Sequence, residues 1–190
     1  MKELTLYGIR DAAIQSGRAV YSVQQLSNLI GKSRSVAAVY LSRLVGKGLA
    51  RRLIKGRISF VYDDLVIATQ LVEPSYVSLN SALLFHGIIT QVQRNVESVT
   101  PRNTLSYRNL GLAYHKIPGH LFFGYKSHQR GGSYAFIAEP EKALIDGIYL
   151  NLYSKKDLEE HMASLDRARL KELAVRFTGR GSRSLERMIK

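Results

Sequence analysis

Residues 30–57 read IGKSRSVAAVYLSRLVGKGLARRLIKGR, and this stretch decides how the first part of the chain is interpreted. It contains eight Lys or Arg residues and no Asp or Glu. The acid-free span is longer, running 51 residues from Ala12 to Tyr62 with nine basic residues, where average composition would give about four acids. Solvated helices usually mix the two charge signs. The span is therefore expected to face a polyanion.

The residues before this stretch predict two helices. The segment 4–15 has a modest helical pattern of apolar residues. A second helix begins after Ser22, because Gln25 follows three residues later, as in a capping box. Its apolar stripe ends at Gly31, and residues 31–33 (GKS) supply a turn.

A third helix follows, capped by Ser33 or Ser35 and closed by Gly46 and Gly48. Helical spacing of 100° per residue places one set of side chains inward: Val36, Ala37, Tyr40, Leu41 and Leu44. The remaining positions point outward: Arg34, Ser35, Ala38, Val39 and Ser42. Mostly short outward side chains let a helix sit deep in the major groove of DNA.

Residues 49–62 read as two short strands about a turn at Lys55-Gly56. Two helices, a three-residue turn, a helix and a basic hairpin form the order of a winged helix-turn-helix. Its third helix would read the major groove, and its hairpin would lie over the adjacent phosphate backbone or minor groove. The expected DNA-binding residues are Lys32, Ser33, Arg34, Ser35, Ala38, Ser42, Arg43, Arg51, Arg52, Lys55 and Arg57.

A domain boundary is predicted at Pro74, which gives domains at 1–72 and 73–190. In the second part, residues 74–88 predict a helix, and strands are expected within 96–102, 112–118, 121–127 and 133–138. Residues 139–153 return to helical spacing. The predicted fold class is α+β, with a small, mainly antiparallel sheet in the second domain.

Composition limits the remaining possibilities. There are no cysteines, and the five histidines form no close pair on a helix, so neither a metal nor any other cofactor is expected. No apolar run approaches the roughly 18 residues of a membrane span, and the first residues do not resemble a signal peptide. The expectation is a cytoplasmic protein without a membrane partner. The net charge of +13 favours an anionic partner.

Four stretches of the second part resemble a known family. They are YVSLNSALLFHGI (76–88), SVTPR (98–102), YHKIPGHLFFGY (114–125) and YAFIAEPEKALIDGIYL (134–150). Together they resemble the AbiEi-type antitoxin and transcriptional regulator family of abortive-infection, type IV toxin-antitoxin systems. The resemblance covers roughly residues 15–165, and its most specific feature is the combination of SALLxHG with IAxPEKALxD.

The resemblance implies a non-enzymatic repressor of its own operon. Its winged helix would bind inverted repeats in promoter DNA, as a monomer or a dimer, and its second domain would counteract a nucleotidyltransferase-like toxin. Two other readings stay open. One is a protein-interaction antitoxin module without specific DNA binding, and the other is a metal-dependent nuclease.

The nuclease reading rests on Glu139, Glu141, Lys142 and Asp146, which group acids with a lysine. The adjacency of Glu141 and Lys142 at a helix start favours a structural role instead, with Pro140 in the first turn.

Two hypotheses account for the basic segment 167–190. It either contacts phosphates or packs through Leu170, Leu173, Phe177, Leu185 and Ile189.

Overall fold

The computed structural model describes residues 5–153, 161–162 and 164–177. Within them the fold is mixed α+β with mainly antiparallel strand pairing, as predicted. The chain divides into two compact units. The first unit contains residues 1–71 and 128–135, and the second contains 72–127 and 136–190. The return of residues 128–135 to the first unit is not evident from the sequence.

The first unit has four helices and three strands among its described residues before position 72. They are α1 (Leu6–Gln15), β1 (Val20–Ser22), α2 (Val23–Ile30), α3 (Arg34–Gly46), β2 (Arg51–Ile54), β3 (Arg57–Ser59) and α4 (Asp64–Leu71). The capping box before α2 is confirmed, since the Ser22 side chain accepts from the Gln25 amide and the Gln25 side chain accepts from the Ser22 amide. Gly31 ends α2 in the left-handed conformation, at φ +62°.

The three strands form one antiparallel sheet in the order β1-β3-β2. Strand β1 was not predicted, because three residues are too few to show an alternating pattern. The helices and the sheet share one core, in which Tyr21 and Phe60 meet edge to face at 5.5 Å between ring centroids. Its other buried members are Ile9, Ala13, Leu26, Ile30, Ala37, Leu41, Leu44, Ala50 and Ile58.

The second unit is built on a six-stranded sheet in the order β6-β7-β5-β4-β9-β8. Its strands are β4 (Tyr76–Val77), β5 (Val96–Thr100), β6 (Leu105–Tyr107), β7 (Leu112–Lys116), β8 (Tyr125–Arg130) and β9 (Ser133–Ala138). The tip of the β8–β9 hairpin belongs to the first unit. Within this sheet the β5/β7 and β4/β9 pairs are parallel. Within the described residues of this unit, the α-helices are α5 (Leu79–Phe85), α6 (Pro140–Tyr149) and α7 (Arg167–Ala174).

Two local predictions in this unit need correction. Residues 76–77 form strand β4 and the helix begins only at Leu79, because Tyr76 and Val77 pair with Val99 and Ser98 of β5. The strand expected at 121–127 begins at Tyr125, after a short 3-10 turn at 119–121. Residues 96–100, 112–116 and 133–138 are strands, as predicted.

None of the helices in the described part of the chain is long and apolar enough to cross a lipid bilayer.

Gln70 explains how residues 128–135 attach to the first unit. Its side chain is fully buried, and its carbonyl oxygen accepts from the Ala19 and Val20 amides at 2.8 and 3.1 Å. Its amide nitrogen donates to the Ser133 hydroxyl at 2.9 Å and to the Tyr134 carbonyl at 3.0 Å. One side chain therefore joins α4, β1 and the tip of the β8–β9 hairpin.

Replacing Gln70 with leucine is expected to lower the free energy of unfolding by about 2–3 kcal/mol, because buried donors lose their acceptor and the apolar side chain replaces none of these bonds. Chemical denaturation followed by circular dichroism measures this loss. Gln24→Leu is the control, since Gln24 is exposed on α2 and its substitution should change stability by less than about 0.5 kcal/mol. Equal losses in both variants would contradict the role given to Gln70.

Candidate nucleic-acid interface

The turn between α2 and α3 is held by serine hydroxyls. Ser27 donates to the Lys32 carbonyl at 2.6 Å, which fixes the chain as it leaves α2. Ser33 is the N-cap of α3 and accepts from the Val36 amide at 3.4 Å. Its hydroxyl also shares a hydrogen bond of 2.9 Å with Ser35. The start of α3 is thus a defined position from which side chains project.

Helix α3 has one buried side and one exposed side. Ala37, Leu41 and Leu44 are buried, as predicted. The inward placement of Val36 is wrong, since this side chain is 39% exposed. Val36 lies at the margin of the apolar stripe, and the buried part of the stripe is narrower than helical spacing alone suggests. Val39 is 49% exposed, in agreement with its predicted outward position.

Most of the predicted DNA-binding residues lie on the surface of the first unit. The exposed members are Lys32, Ser33, Arg34, Ser35, Ala38, Ser42, Arg43, Arg52 and Lys55. Arg51 and Arg57, on the hairpin strands, are half-buried. The exposed residues come from two places: the turn and outer face of α3, and the β2–β3 hairpin.

The hairpin turns at Lys55-Gly56, as predicted, with Gly56 at φ +74°. A bulge lies between Arg52 and Ile54, because Arg52 pairs with Ile58 while Ile54 already pairs with Arg57. Leu53 therefore turns into the core, while Arg52 stays exposed.

The exposed cations of this surface are not neutralised within the described residues. Lys32, Arg34, Arg52 and Lys55 form no ion pair there, and Arg43 lies over the Tyr40 ring at 5.9 Å. Arg51 differs, since its guanidinium is 3.5 Å from an Asp64 carboxylate oxygen. We call Lys32, Arg34, Arg43, Arg52 and Lys55 the basic surface. Its charge is available to a ligand, because nearby acids do not screen it.

A second cluster of charged residues lies in the second unit, on α6. Lys142 and Asp146 form an ion pair one turn apart, and both side chains are fully buried. Asp146 also accepts from the Tyr76 hydroxyl at 3.0 Å and from the Ser78 hydroxyl at 2.8 Å. The Lys142 ammonium donates to the Tyr76 hydroxyl at 2.6 Å. We call Tyr76, Ser78, Lys142 and Asp146 the buried tetrad.

Aromatic rings enclose the Lys142 ammonium. The ring centroids of Tyr76, Phe123 and Phe177 lie 5.1–5.2 Å from Nζ. Burial lowers the pKa of Lys142, and the carboxylate of Asp146 opposes that change. Burial also raises the pKa of Tyr76 well above its usual range, with the negative charge of Asp146 acting in the same direction.

The acids of the nuclease hypothesis do not converge on one point. Glu139 pairs with Arg169 of α7 at 2.7 Å and with Lys126 at 3.0 Å. The hydrogen bond from Arg169 is the main reason that the pKa of Glu139 lies below its usual value. Glu141 instead accepts from the Asp166 amide at 3.2 Å. Among the described residues no group of three potential metal-ligating His, Asp or Glu side chains occurs.

The buried tetrad was missed as a unit. The position of Asp146, four residues after Lys142 on a predicted helix, is a local signal for an ion pair. Its hydroxyl partners are about 70 residues away in the chain, so local sequence could not identify them. The stretches 76–88 and 134–150 thus contribute a polar centre to the fold of the second unit.

The basic C-terminal segment is described only as far as Phe177. Leu170, Leu173 and Phe177 are buried, as the packing hypothesis expected. Arg167 and Lys171 are exposed on the same helix. Leu185 and Ile189 lie outside the described residues.

Comparison with known proteins adds no relative. No protein-family model matches this chain, and no curated protein matches it either.

Proposed function

We propose that this protein is a sequence-specific regulator that binds double-stranded DNA through a winged helix-turn-helix in its first unit. The observation that carries the proposal is the basic surface, whose five exposed cations have no acidic partner among the described residues. They lie on the turn before α3, on α3 itself and on the β2–β3 hairpin. A groove-reading helix and a backbone-contacting wing need cations at these positions.

The order of the elements supports the same proposal. The succession is α1, β1, α2, α3 and a β2–β3 hairpin, with a three-stranded antiparallel sheet, and this is the order that a winged helix would require. The residues between α2 and α3 are only Gly31, Lys32 and Ser33. The outer face of α3 carries short side chains, which permit close approach to base edges.

The resemblance to AbiEi-type antitoxins extends this proposal. The protein would repress its own operon from inverted repeats, and its second unit would counteract a nucleotidyltransferase-like toxin. The buried tetrad lies inside the second unit, so a toxin-binding surface would be formed by other residues. The proposed activity is non-catalytic.

The test is a binding titration against the protein's own upstream promoter fragment and a shuffled duplex of equal length, over several salt concentrations. We expect a preference for the promoter of at least about 10³-fold. Five phosphate contacts predict a slope of log K against log salt near −4.5, so that affinity falls about 500-fold between 50 and 200 mM salt. Equal, weak binding to both fragments would contradict sequence-specific regulation and favour a protein-interaction module.

A further inference from the structure

The most exposed row of side chains on α3 contains valine, a residue type that phosphate binding does not require. Opposite the buried side of the helix lie Ser35, Val39, Ser42 and Gly46, all exposed. Val39 is the largest side chain of this row and is 49% exposed. Val36, three residues earlier and 39% exposed, is its neighbour on the helix surface. Two branched aliphatic side chains therefore form an apolar patch between the hydroxyls of Ser35 and Ser42.

This patch is surrounded by the basic surface. Arg34 and Arg43 lie on the same helix, and Lys32 lies in the turn before it. Exposed branched aliphatic side chains lower helix propensity slightly and gain nothing in water. If the surrounding cations bind the phosphates of a duplex, as the proposed function requires, the patch faces the floor of the major groove.

The major groove offers one apolar group among the four standard bases, the C5 methyl group of thymine. Valine side chains can neither donate nor accept a hydrogen bond. The most exposed row of side chains on α3 also lacks Asn, Gln, Asp and Glu, the side chains that pair with adenine or cytosine. Readout by this face is thus restricted to methyl contacts, serine hydroxyls and the flanking cations.

We infer that Val39, together with Val36, selects operator sites by contact with thymine methyl groups. This inference rests on the proposed function. Each half of the inverted repeat would then contain at least one thymine whose methyl group faces the patch and is needed for full affinity. Removing that methyl group weakens binding about fourfold, the factor that corresponds to burying one methyl-sized group.

The test uses the full chain and a randomised duplex pool, from which bound sequences are selected and aligned. Each thymine of the selected site is then replaced by uracil, which removes the methyl group and keeps the base pairing. We expect about a fourfold loss at one or two thymines of each half-site. We also expect no loss at the same positions for the double variant V36A/V39A, because its truncated side chains no longer reach the methyl group.

Two further arms make the result specific. In a site where the contacted T·A pair is replaced by C·G, 5-methylcytosine should bind about fourfold tighter than cytosine, because it returns the methyl group to the groove. Val92→Ala is the control variant, since Val92 is 80% exposed in the second unit and its loss should leave the uracil effect unchanged.

The outcomes separate the inference from the function on which it rests. A selected site whose uracil forms bind as well as the thymine forms overturns methyl readout and leaves DNA binding intact. A uracil effect of equal size in V36A/V39A overturns the assignment to these two valines. A pool that yields no preferred sequence overturns the proposed function itself.

Discussion

Removing three cations of the basic surface, in the variant R34A/R43A/R52A, is expected to weaken binding to the promoter duplex about 100-fold at 150 mM salt. The slope of log K against log salt should become shallower by about 2.7, which is three contacts at 0.9 each. The effect is large because these side chains are exposed and have no ion pair among the described residues. Their whole charge is therefore available to phosphates. A fluorescence anisotropy titration over a series of salt concentrations measures both quantities.

A control variant with the same net charge distinguishes the effect of where the cations lie from the effect of the total charge of the protein. R94A/R102A/R108A removes three exposed arginines of the second unit, so both variants carry a net charge of 13 − 3 = +10. We expect this control to lose less than about threefold in affinity, because long-range charge effects are screened at this salt concentration. Thermal unfolding should be unchanged in both variants, since the altered side chains are exposed. Equal losses in the two triples would mean that binding depends on overall charge and not on the basic surface.

Replacing Asp146 with asparagine is expected to lower the free energy of unfolding of the second unit by about 3–5 kcal/mol. The substitution leaves the fully buried Lys142 ammonium without its counter-ion. The aromatic rings around Lys142 compensate only in part, because a cation–π contact is worth about 2 kcal/mol when desolvated. Hydrogen exchange of the α6 amides measures this stability locally, without assuming that the two units unfold together.

Two companion variants test the cause of this loss. Glu172→Gln removes one acid of the exposed Arg169–Glu172 pair, and it should cost less than about 1 kcal/mol. The double variant K142M/D146N should recover about 2 kcal/mol relative to D146N, because methionine removes the uncompensated charge while asparagine still accepts from Tyr76 and Ser78. A double variant as unstable as D146N would show that the loss comes from packing and not from the buried charge.

The tetrad connects two stretches of the second unit that are far apart in the chain. Lys142 and Asp146 come from the IAxPEKALxD pattern, and Tyr76 and Ser78 come from the stretch that contains SALLxHG. His86 of the same stretch bonds the Ala138 carbonyl through Nε2 at 2.8 Å. Gly124 approaches the Lys142 side chain so closely that a Cβ would lie 3.0 Å from it. Hydrogen bonds thus join the stretches 76–88 and 134–150 within the second unit.

Local sequence determined a large part of the first unit. The capping residues Ser22 and Ser33, the Gly31 helix end and the Lys55-Gly56 turn are all where their chemistry predicts, because each depends only on hydrogen bonds and backbone angles within a few residues. In the second unit, strand β9 and helix α6 follow equally plain patterns. The acid-free span was visible from the order of the residues alone.

Other features were decided only by tertiary structure. Strands β1 and β4 have three and two residues, so they are strands because partners pair with them and not because of their own pattern. The exposure of Val36 depends on how much of α3 its neighbours cover. Residues 128–135 join the first unit through contacts between residues more than 50 positions apart, which include the hydrogen bonds of Gln70 and the Arg130–Asp63 ion pair.

The division has one physical reason. Helix caps, turns and amphipathic helix faces depend on interactions between residues close in the chain, so the sequence determined them. The sequence also determined the positive charge that makes the first unit a candidate DNA-binding surface. Contacts between residues that are distant in the chain form the buried tetrad and set the order of the strands. They also determine that the cations of the basic surface have no acidic partner among the described residues. These contacts form only when the chain has folded. Tertiary structure therefore decided which charged side chains are buried, as Lys142 and Asp146 are. It also decided which charged side chains remain exposed to a ligand, as Arg34 and Arg52 do.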